Sequence, residues 1–327
     1  MSAPTWTADV MHFGKLPCRG DFIRSTPHAP LLDSIDRWQA QLMERLATDP
    51  RWKLTYDAAP VTQFAVLGSK SSVGLAGTWL ASRDVSGRRF PFVLAAAFDL
   101  PESHGFVPLS PVALRPVWQT LSRTAQQAYA APAIEAIQGA MAGQLSFDEP
   151  RSTSRVELVE FLESHTVASL EQMLGASGHR LSVRQAVLAL GLLLQPVMAQ
   201  GPARLNKVLR LPLVLDPAVR ARVGAFWLSL IAGFFRRHEV EFGVFLPERS
   251  VQPCLLLSFQ GASVSAMGAS VDVAVMQDVG VSLDDAEWVE AEVDADYGLR
   301  KLSNYLKDPA MSLAQVLRTY EEVFLGL

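Results

Sequence analysis

Residues 13–22, which read FGKLPCRGDF, contain two fragments of known chemical motifs. Gly14-Lys15 is similar to the end of a phosphate-binding loop, but the hydroxyl residue that would bind magnesium does not follow it. Cys18 lies beside Arg19 and near that lysine, and neighbouring cations favour the nucleophilic thiolate. The simpler interpretation of Cys18 is a small residue in a turn, so the segment predicts no catalytic residue and no nucleotide site.

The tripeptide Arg19-Gly20-Asp21 also matches an integrin-binding loop, a motif of the extracellular space. Residues 1–10 show no basic start followed by an apolar run, so no signal peptide is predicted. The chain has two cysteines, Cys18 and Cys254, which are too few for a disulfide framework or a zinc site. We therefore expect a cytoplasmic protein in a reducing compartment and attribute the tripeptide to chance.

Histidines and carboxylates do not indicate a metal site either. None of the six histidines shares a helix face with another at a spacing of four, or has a cysteine at ligand spacing. Seven carboxylates lie within residues 284–296, without the glycine and spacing of a calcium loop. Such a run predicts a solvated face, or alternatively a docking surface for a basic partner. We expect neither a metal nor a cofactor.

Composition excludes further classes of function. The 327 residues are 49% hydrophobic and 19% charged, which suffices for a full core, and the formal net charge of −4 gives no footprint for nucleic acid. The most apolar stretches, residues 186–194 and 223–235, are shorter than the roughly 20 residues of a membrane-spanning helix. They predict core helices rather than transmembrane segments.

The first half predicts a mainly antiparallel sheet flanked by helices. Short connections and Pro/Gly turns, including a tight turn at residues 84–87, separate five apolar runs. The predicted strands are residues 8–13, 21–25, 62–67, 73–82 and 89–98. The last run is almost entirely apolar and should be a central strand. Apolar residues at helical spacing between Leu31 and Leu46 predict a helix, and two more should start at Ser110-Pro111 and cover residues 133–141.

The second half predicts more helix around a smaller sheet. Ser182 and Gln185, and later Ser312 and Gln315, form capping boxes before helical patterns, and Asp216-Pro217 starts a further helix. Strands are expected at residues 241–246, 254–259 and 271–275. The polar stretch at residues 148–154 predicts a domain boundary, which gives domains 1–148 and 149–327. The fold class expected is α+β, an α/β sandwich.

Several ordered motifs lie within residues 10–100. They are residues 13–22, Asp36-Arg37-Trp38, Trp52, Tyr56, Pro60, Phe64, Gly77-Thr78-Trp79, Ser82-Arg83-Asp84 and residues 87–91. Together they resemble the TagF family, also called ImpM, accessory proteins of type VI secretion in Gram-negative bacteria. The second half resembles that family only loosely.

This resemblance implies a longin or profilin-like N-terminal domain, followed by a helix-rich α/β domain. It also implies a non-enzymatic, post-translational repressor of type VI secretion that contacts other secretion proteins, among them a forkhead-associated-domain protein. A second hypothesis is a structural adaptor that docks a nucleotide-binding or membrane-complex subunit without controlling it. A third is an enzyme with Cys18 as nucleophile, which no histidine motif supports.

Two charged loops are the candidate partner-binding site. The first follows the first strand and the second is the tight turn near residue 84. Their six candidate residues are Lys15, Arg19, Asp21, Asp84, Arg88 and Arg89. The alternative is that Asp21 or Asp84 pairs with one of these arginines and only stiffens the fold.

Overall fold

Ten strands form one sheet in the computed structural model, which describes residues 5–26, 28–100, 103–148, 150–249 and 251–327. The strands are β1 (Thr5–Gly14), β2 (Ile23–Arg24), β3 (Thr62–Gly68), β4 (Val73–Leu80), β5 (Phe92–Asp99), β6 (Gln144–Asp148), β7 (Val208–Pro212), β8 (Glu241–Pro247), β9 (Cys254–Ser258) and β10 (Gly280–Ser282). Their spatial order is β10-β7-β9-β8-β3-β4-β5-β1-β2, and β6 pairs with β1. Every pairing except β7 with β10 is antiparallel.

Fourteen α-helices lie within the described residues. They are α1 (Ala29–Leu46), α2 (Trp52–Asp57), α3 (Ser103–Phe106), α4 (Ser110–Ala113), α5 (Arg115–Ala130), α6 (Pro150–Ser164), α7 (Val167–Ala176), α8 (Val183–Gln200), α9 (Pro217–Ala232), α10 (Val264–Val271), α11 (Val273–Val279), α12 (Val289–Ala295), α13 (Tyr297–Leu306) and α14 (Leu313–Phe324). Together with the mainly antiparallel sheet, they confirm the predicted α+β class. The longin or profilin-like form of the first half stays a prediction.

The sheet crosses the predicted domain boundary without a break. β3 from the first half pairs with β8 from the second, in a register that runs from Thr62 opposite Pro247 to Gly68 opposite Glu241. On one face of the sheet, a single cluster of buried side chains draws on both halves of the chain. Domains 1–148 and 149–327 stay a prediction about the chain, and in space the two regions share a sheet and a core.

Helices cover both faces of the sheet, and alternation along each strand divides the side chains between two cores. In β1, Ala8 and Val10 join the core under α4, α5, α8 and α9, whereas Met11 and Phe13 join the core under α1 and α10. The seven residues from Phe92 to Phe98 in β5 are all buried, which confirms the prediction of a central strand. The sheet is therefore an internal layer, and its loops must carry any site that faces solvent.

Two predictions of secondary structure from the sequence were wrong. Residues 133–141 form two short 3-10 turns, and the strand β6 that follows them was not predicted. Residues 271–275 are not a strand, because the side chain of Asp272 accepts a hydrogen bond from Ala274 N and caps α11. The helix expected from Ser110-Pro111 exists as α4 and α5, which are separated at Leu114.

Two helices, Val183–Gln200 and Pro217–Phe235, are long and apolar enough to cross a membrane by length and composition alone. Half or more of each is buried inside the protein. Trp227, within the second of them, is fully buried and donates from Nε1 to the carbonyl of Pro212 at 2.8 Å. These contacts are typical of the core helices that the sequence predicted.

Gly191 in α8 marks the place where the C-terminal helix docks. A Cβ atom at this position would lie 2.1 Å from Cζ of Phe324, whose ring is packed against Phe234 and Tyr320. We expect Gly191→Ala to lower the free energy of unfolding by about 1–3 kcal/mol, the usual cost of overpacking. Urea unfolding measures this change.

Gly105→Ala is the matched control, because nothing lies within 4 Å of a Cβ at that position. A Phe324→Leu background should relieve part of the Gly191→Ala penalty. Equal effects of the two glycine substitutions would contradict the docking of α14 against α8.

Candidate functional site

The two predicted loops are neighbours because the strands that carry them are paired. The first loop, residues 15–22, leaves β1, and the second, residues 81–91, joins β4 to β5. The β1–β5 ladder ends with Gly14 opposite Phe92. Gly14 has φ 133°, and a Cβ on it would lie 2.0 Å from the carbonyl oxygen of Pro91. Only glycine fits this close approach of the two loops.

The carboxylate of Asp84 is the centre of the site. It is fully buried and accepts five hydrogen bonds. Lys15 Nζ donates to Oδ2 at 2.9 Å, and Arg88 donates to Oδ2 from Nε at 2.7 Å and to Oδ1 from its backbone N at 3.0 Å. Ser86 donates to Oδ1 from its backbone N and from Oγ, at 3.0 and 2.7 Å.

The charge of Asp84 is fixed by these donors. Burial alone would raise the pKa of this carboxyl, but the hydrogen bonds from Ser86, Lys15 and Arg88 outweigh it. They hold the pKa of Asp84 well below its usual range, because each donor favours the ionised form. Asp84 therefore stays a carboxylate throughout the neutral and mildly acidic range.

Lys15 links the buried charge to the surface. Its side chain is only 8% exposed, and its ammonium group lies 4.9 Å from the centre of the Phe22 ring. The backbone carbonyl of Lys15 accepts a hydrogen bond of 2.6 Å from Ser82 Oγ. Lys15 is thus a structural residue, and it positions Phe22 through a cation–π contact.

Two hydrogen bonds to backbone carbonyls of the first loop join the two loops a second time. Arg88 Nη2 donates to the carbonyl of Gly20 at 2.7 Å, and Val85 N donates to the carbonyl of Arg19 at 2.9 Å. Donors of the second loop therefore fix the carbonyl groups of Arg19 and Gly20 in the first loop. The loops form one rigid unit rather than two independent segments.

A second support comes from α2, which lies beside the turn. Tyr56 Oη donates to the carbonyl of Ser82 at 2.9 Å and accepts from the backbone N of the same residue at 2.8 Å. Asp57 accepts two hydrogen bonds from Arg89, from Nε at 2.8 Å and from Nη2 at 2.5 Å. The Arg89 contact lowers the pKa of Asp57 and raises that of the arginine, which is the signature of a bidentate ion pair.

The six candidate residues divide into three groups. Lys15 and Asp84 are buried and pair with each other, and Arg88 and Arg89 are partly exposed and paired with carboxylates. The alternative in which Asp84 pairs with an arginine is confirmed by its contact with Arg88. Arg19 and Asp21 are exposed, and within the described residues neither side chain makes an ion pair or a hydrogen bond. Their role as binding residues stays a prediction.

Two exposed apolar side chains lie on these two loops and were not among the candidate residues predicted from the sequence. Phe22 is 48% exposed and packs against Phe13 and Phe90, with ring centres 5.6 and 4.8 Å apart. Val85 is 70% exposed at the tip of the turn. The sequence did contain a signal for Val85: it is a β-branched apolar residue between Asp84 and Ser86 in a tight turn, where Gly, Pro, Asn, Asp and Ser are favoured.

The chemical alternatives find little support in the geometry. Cys18 is a free, half-buried cysteine, and in the described part of the chain no hydrogen bond joins it to a histidine. Among the described residues, no group of three or more His, Cys, Asp or Glu side chains is placed to hold a metal ion.

The acidic run at residues 284–296 is only partly a solvated face. Asp284 accepts from Arg210 and from Ser282 Oγ, and lies 3.7 Å from Nδ1 of buried His179. Burial raises the pKa of Asp284, but the nearby His179, the hydrogen bond from Ser282 and the charge of Arg210 lower it to about 2. Glu290 is tied to Arg184 in the same manner. Part of the run therefore holds the second half together.

Residues 12–142 match the model of the TagF N-terminal domain, which is described as type VI secretion system-associated. This match confirms the resemblance predicted from the motifs. The chain is also similar to a crystal structure of PA0076 from Pseudomonas aeruginosa PAO1, at 18% identity and a TM-score of 0.35. That similarity covers 45% of this chain and 76% of the other. No curated protein matches the chain.

Replacement of Asp84 by asparagine should change both the stability and its dependence on pH. The pKa of Asp84 is lower in the folded chain than in the unfolded chain, so the folded chain binds fewer protons. The carboxylate therefore stabilises the fold above about pH 4, and this contribution is lost as the pH falls further. We expect Asp84→Asn to be less stable at pH 7, with a difference from the wild type that shrinks in acid.

Urea unfolding between pH 7 and pH 3 measures this difference. Asp33→Asn is the control, because Asp33 forms an exposed ion pair with Arg24 and such pairs contribute about 0–1 kcal/mol. A stability difference for Asp84→Asn that is independent of pH would contradict the assignment of a buried, ionised carboxylate.

Proposed function

We propose that this chain, whose residues 12–142 form a TagF N-terminal domain associated with type VI secretion, is a non-enzymatic regulator that represses secretion after translation. It acts by binding a protein of the secretion apparatus. The observation that carries the proposal is the loop–turn surface, which we define by five exposed side chains held on one rigid unit. These residues are Arg19, Asp21, Phe22, Val85 and Arg88.

The loop–turn surface is ordered before a partner arrives. Association costs free energy for every side chain and loop that becomes ordered on binding, and a fixed backbone avoids much of that cost. Here the Asp84 carboxylate and the contacts from Arg88 and Val85 to the first loop fix the backbone on both sides. Exposed loops on such a scaffold are where recognition residues concentrate.

The chemistry of the surface suits a protein partner. An exposed aromatic ring and an arginine are the residue types that contribute most to protein interfaces. Phe22 and Val85 supply apolar area, and Arg19 and Asp21 supply opposite charges that no residue in the described part of the chain pairs with. The matching partner surface has an apolar recess and a carboxylate for Arg19. The forkhead-associated-domain protein expected from the family resemblance is the first candidate.

The same proposal includes a cytoplasmic location and no turnover of substrate. The two apolar helices are mostly packed in the core, which is consistent with a soluble protein. The adaptor hypothesis differs in two measurable respects. An adaptor is a constant, stoichiometric part of the assembled complex, and its deletion does not raise secretion.

Charge reversal at Arg19 is the sharpest test of the loop–turn surface. Because the exposed side chain of Arg19 makes no hydrogen bond or ion pair within the described residues, Arg19→Glu should leave the melting temperature unchanged. We expect at least a tenfold weaker capture of secretion proteins, which corresponds to about 1.4 kcal/mol. Co-purification from the native bacterium, with the captured proteins identified, measures this loss, and secretion activity should rise.

Arg123→Glu is the matched control, because Arg123 is an exposed arginine on α5, outside the surface. Val85→Glu should act like Arg19→Glu. Arg88→Glu is a poorer probe, because Arg88 also donates hydrogen bonds to the Asp84 carboxylate and the Gly20 carbonyl, which the fold of the loops needs. Capture of the same proteins by wild type and Arg19→Glu would refute the proposed surface, and unchanged secretion after deletion of the gene would refute repression.

Cys18→Ser tests the absence of a thiol-dependent activity. Serine keeps the size of the side chain but is a far weaker nucleophile. We expect Cys18→Ser to repress secretion as the wild type does, with capture of partners reduced less than twofold. Complementation of the deletion strain measures this, and a complete loss of repression by a folded Cys18→Ser protein would support catalysis instead.

A further inference from the structure

A cleft of about 390 Å³ lies at the seam where the two halves of the chain meet. The first half contributes side chains from β3, α4 and α5, and the second contributes α9 and the ends of β8 and β9. This volume falls within the range of roughly 300–1,000 Å³ that is typical of small-molecule sites. The loop–turn surface does not contribute any of its lining residues.

The walls of the cleft are largely apolar. Trp118 is fully buried and its Nε1 donates to the carbonyl of Phe64 at 2.8 Å, so the indole has a fixed position. Pro111 and Leu213 lie close to Gly224, where a Cβ would be 3.3 Å from Cβ of the proline. Such walls receive a hydrocarbon or aromatic body without the loss of a hydrogen bond.

One face of α9 forms a side of the cleft. Pro217, Arg220, Ala221 and Gly224 line it, and these residues recur at the spacing of three and four that places side chains on one helix face. Ala221 is half-buried in the middle of this row. A larger side chain at Ala221 would therefore extend into the cleft from a rigid element.

Two arginines of the cleft are held in position by backbone carbonyl groups. Arg220 donates from Nε to the carbonyl of Val214 at 2.9 Å and from Nη2 to that of Leu215 at 2.6 Å. Arg249 donates from Nη2 to the carbonyl of Ser270 at 2.6 Å. Within the described residues, neither arginine forms an ion pair. Carbonyl groups fix the orientation of a guanidinium group but leave its positive charge available.

The remaining charges leave the cleft positive. Glu248 is the one carboxylate among the lining residues, against three arginines. Burial raises the pKa of Glu248 and lowers that of Arg220, and the attraction between the two opposite charges opposes both shifts. The third arginine, Arg115, shares the carboxylate of Glu157 with Arg222. An anion that enters the cleft would therefore meet an excess of oriented donors.

We propose that this cleft binds a small organic anion with an apolar body, such as an aromatic or aliphatic monocarboxylate or sulfonate. The apolar body lies against Trp118, Leu213 and Leu246, and the anionic group meets Arg220 and Arg249. This ligand site is separate from the proposed loop–turn surface, and it links the two halves of the chain through one bound molecule.

Fluorescence titration with two matched probes tests the proposal. The first probe is 8-anilinonaphthalene-1-sulfonate, and the second is N-phenyl-1-naphthylamine, which has the same rings without the sulfonate. We expect saturable binding of one sulfonate probe per chain, and at least tenfold weaker binding of the neutral probe. Ala221→Phe should weaken binding of the sulfonate at least tenfold, and Arg249→Gln should remove the preference for the sulfonate over the neutral probe.

Matched variants separate these effects from a damaged fold. Ala218→Phe lies on the same helix, is exposed and does not line the cleft, and Arg123→Gln removes an exposed arginine elsewhere. Both controls should bind the sulfonate like the wild type, and circular dichroism verifies that all variants are folded. Unchanged binding by folded Ala221→Phe would overturn the site, and equal affinity of the wild type for the two probes would overturn the preference for an anion.

Discussion

The side chain of Asp84 is shielded from solvent, and a carboxylate in that position is stable only when its oxygens accept hydrogen bonds from charged or polar donors. Those donors come from both loops, because Lys15 follows β1 whereas Ser86 and Arg88 belong to the β4–β5 turn. The geometry of each loop therefore depends on the other. The exposed side chains of the loop–turn surface, including Phe22 next to the Lys15 ammonium group, are arranged around the buried carboxylate of Asp84.

The same constraint explains why the most motif-rich part of the chain carries so few free charges. Of the six candidate residues, four are used in internal ion pairs, and Arg19 and Asp21 remain exposed. Asp84 and its donors keep the loops in place, and Arg19, Asp21 and Val85 beside them are exposed. A pattern of Gly, Pro and charged residues can thus match a family through the residues that hold its loops together, while exposed side chains such as Val85 are less conspicuous in the sequence.

Local signals were predicted well from the sequence and non-local ones were not. The capping box at Ser312 and Gln315 and the buried strand β5 were predicted, because each depends on residues a few positions apart. The pairing of β6 with β1 and of β8 with β3 joins segments that are far apart in the chain. The hydrophobic periodicity within one segment does not indicate which other segment it pairs with. For the site, the sequence offered a pairing of Asp21 or Asp84 with one of the arginines, and Asp84 pairs with Arg88, whereas Lys15 was expected on the surface and is buried with Asp84.

The β3–β8 pairing also sets an order of events during synthesis. Residues 62–68 leave the ribosome long before residues 241–247, which are their partners on one side. At 5–20 residues per second, roughly 10–35 seconds separate the two segments. During that interval β3 is an open strand edge with apolar residues on both faces, and such an edge is a template for pairing with other chains. The first half therefore exposes this unpaired edge until its neighbouring strand arrives.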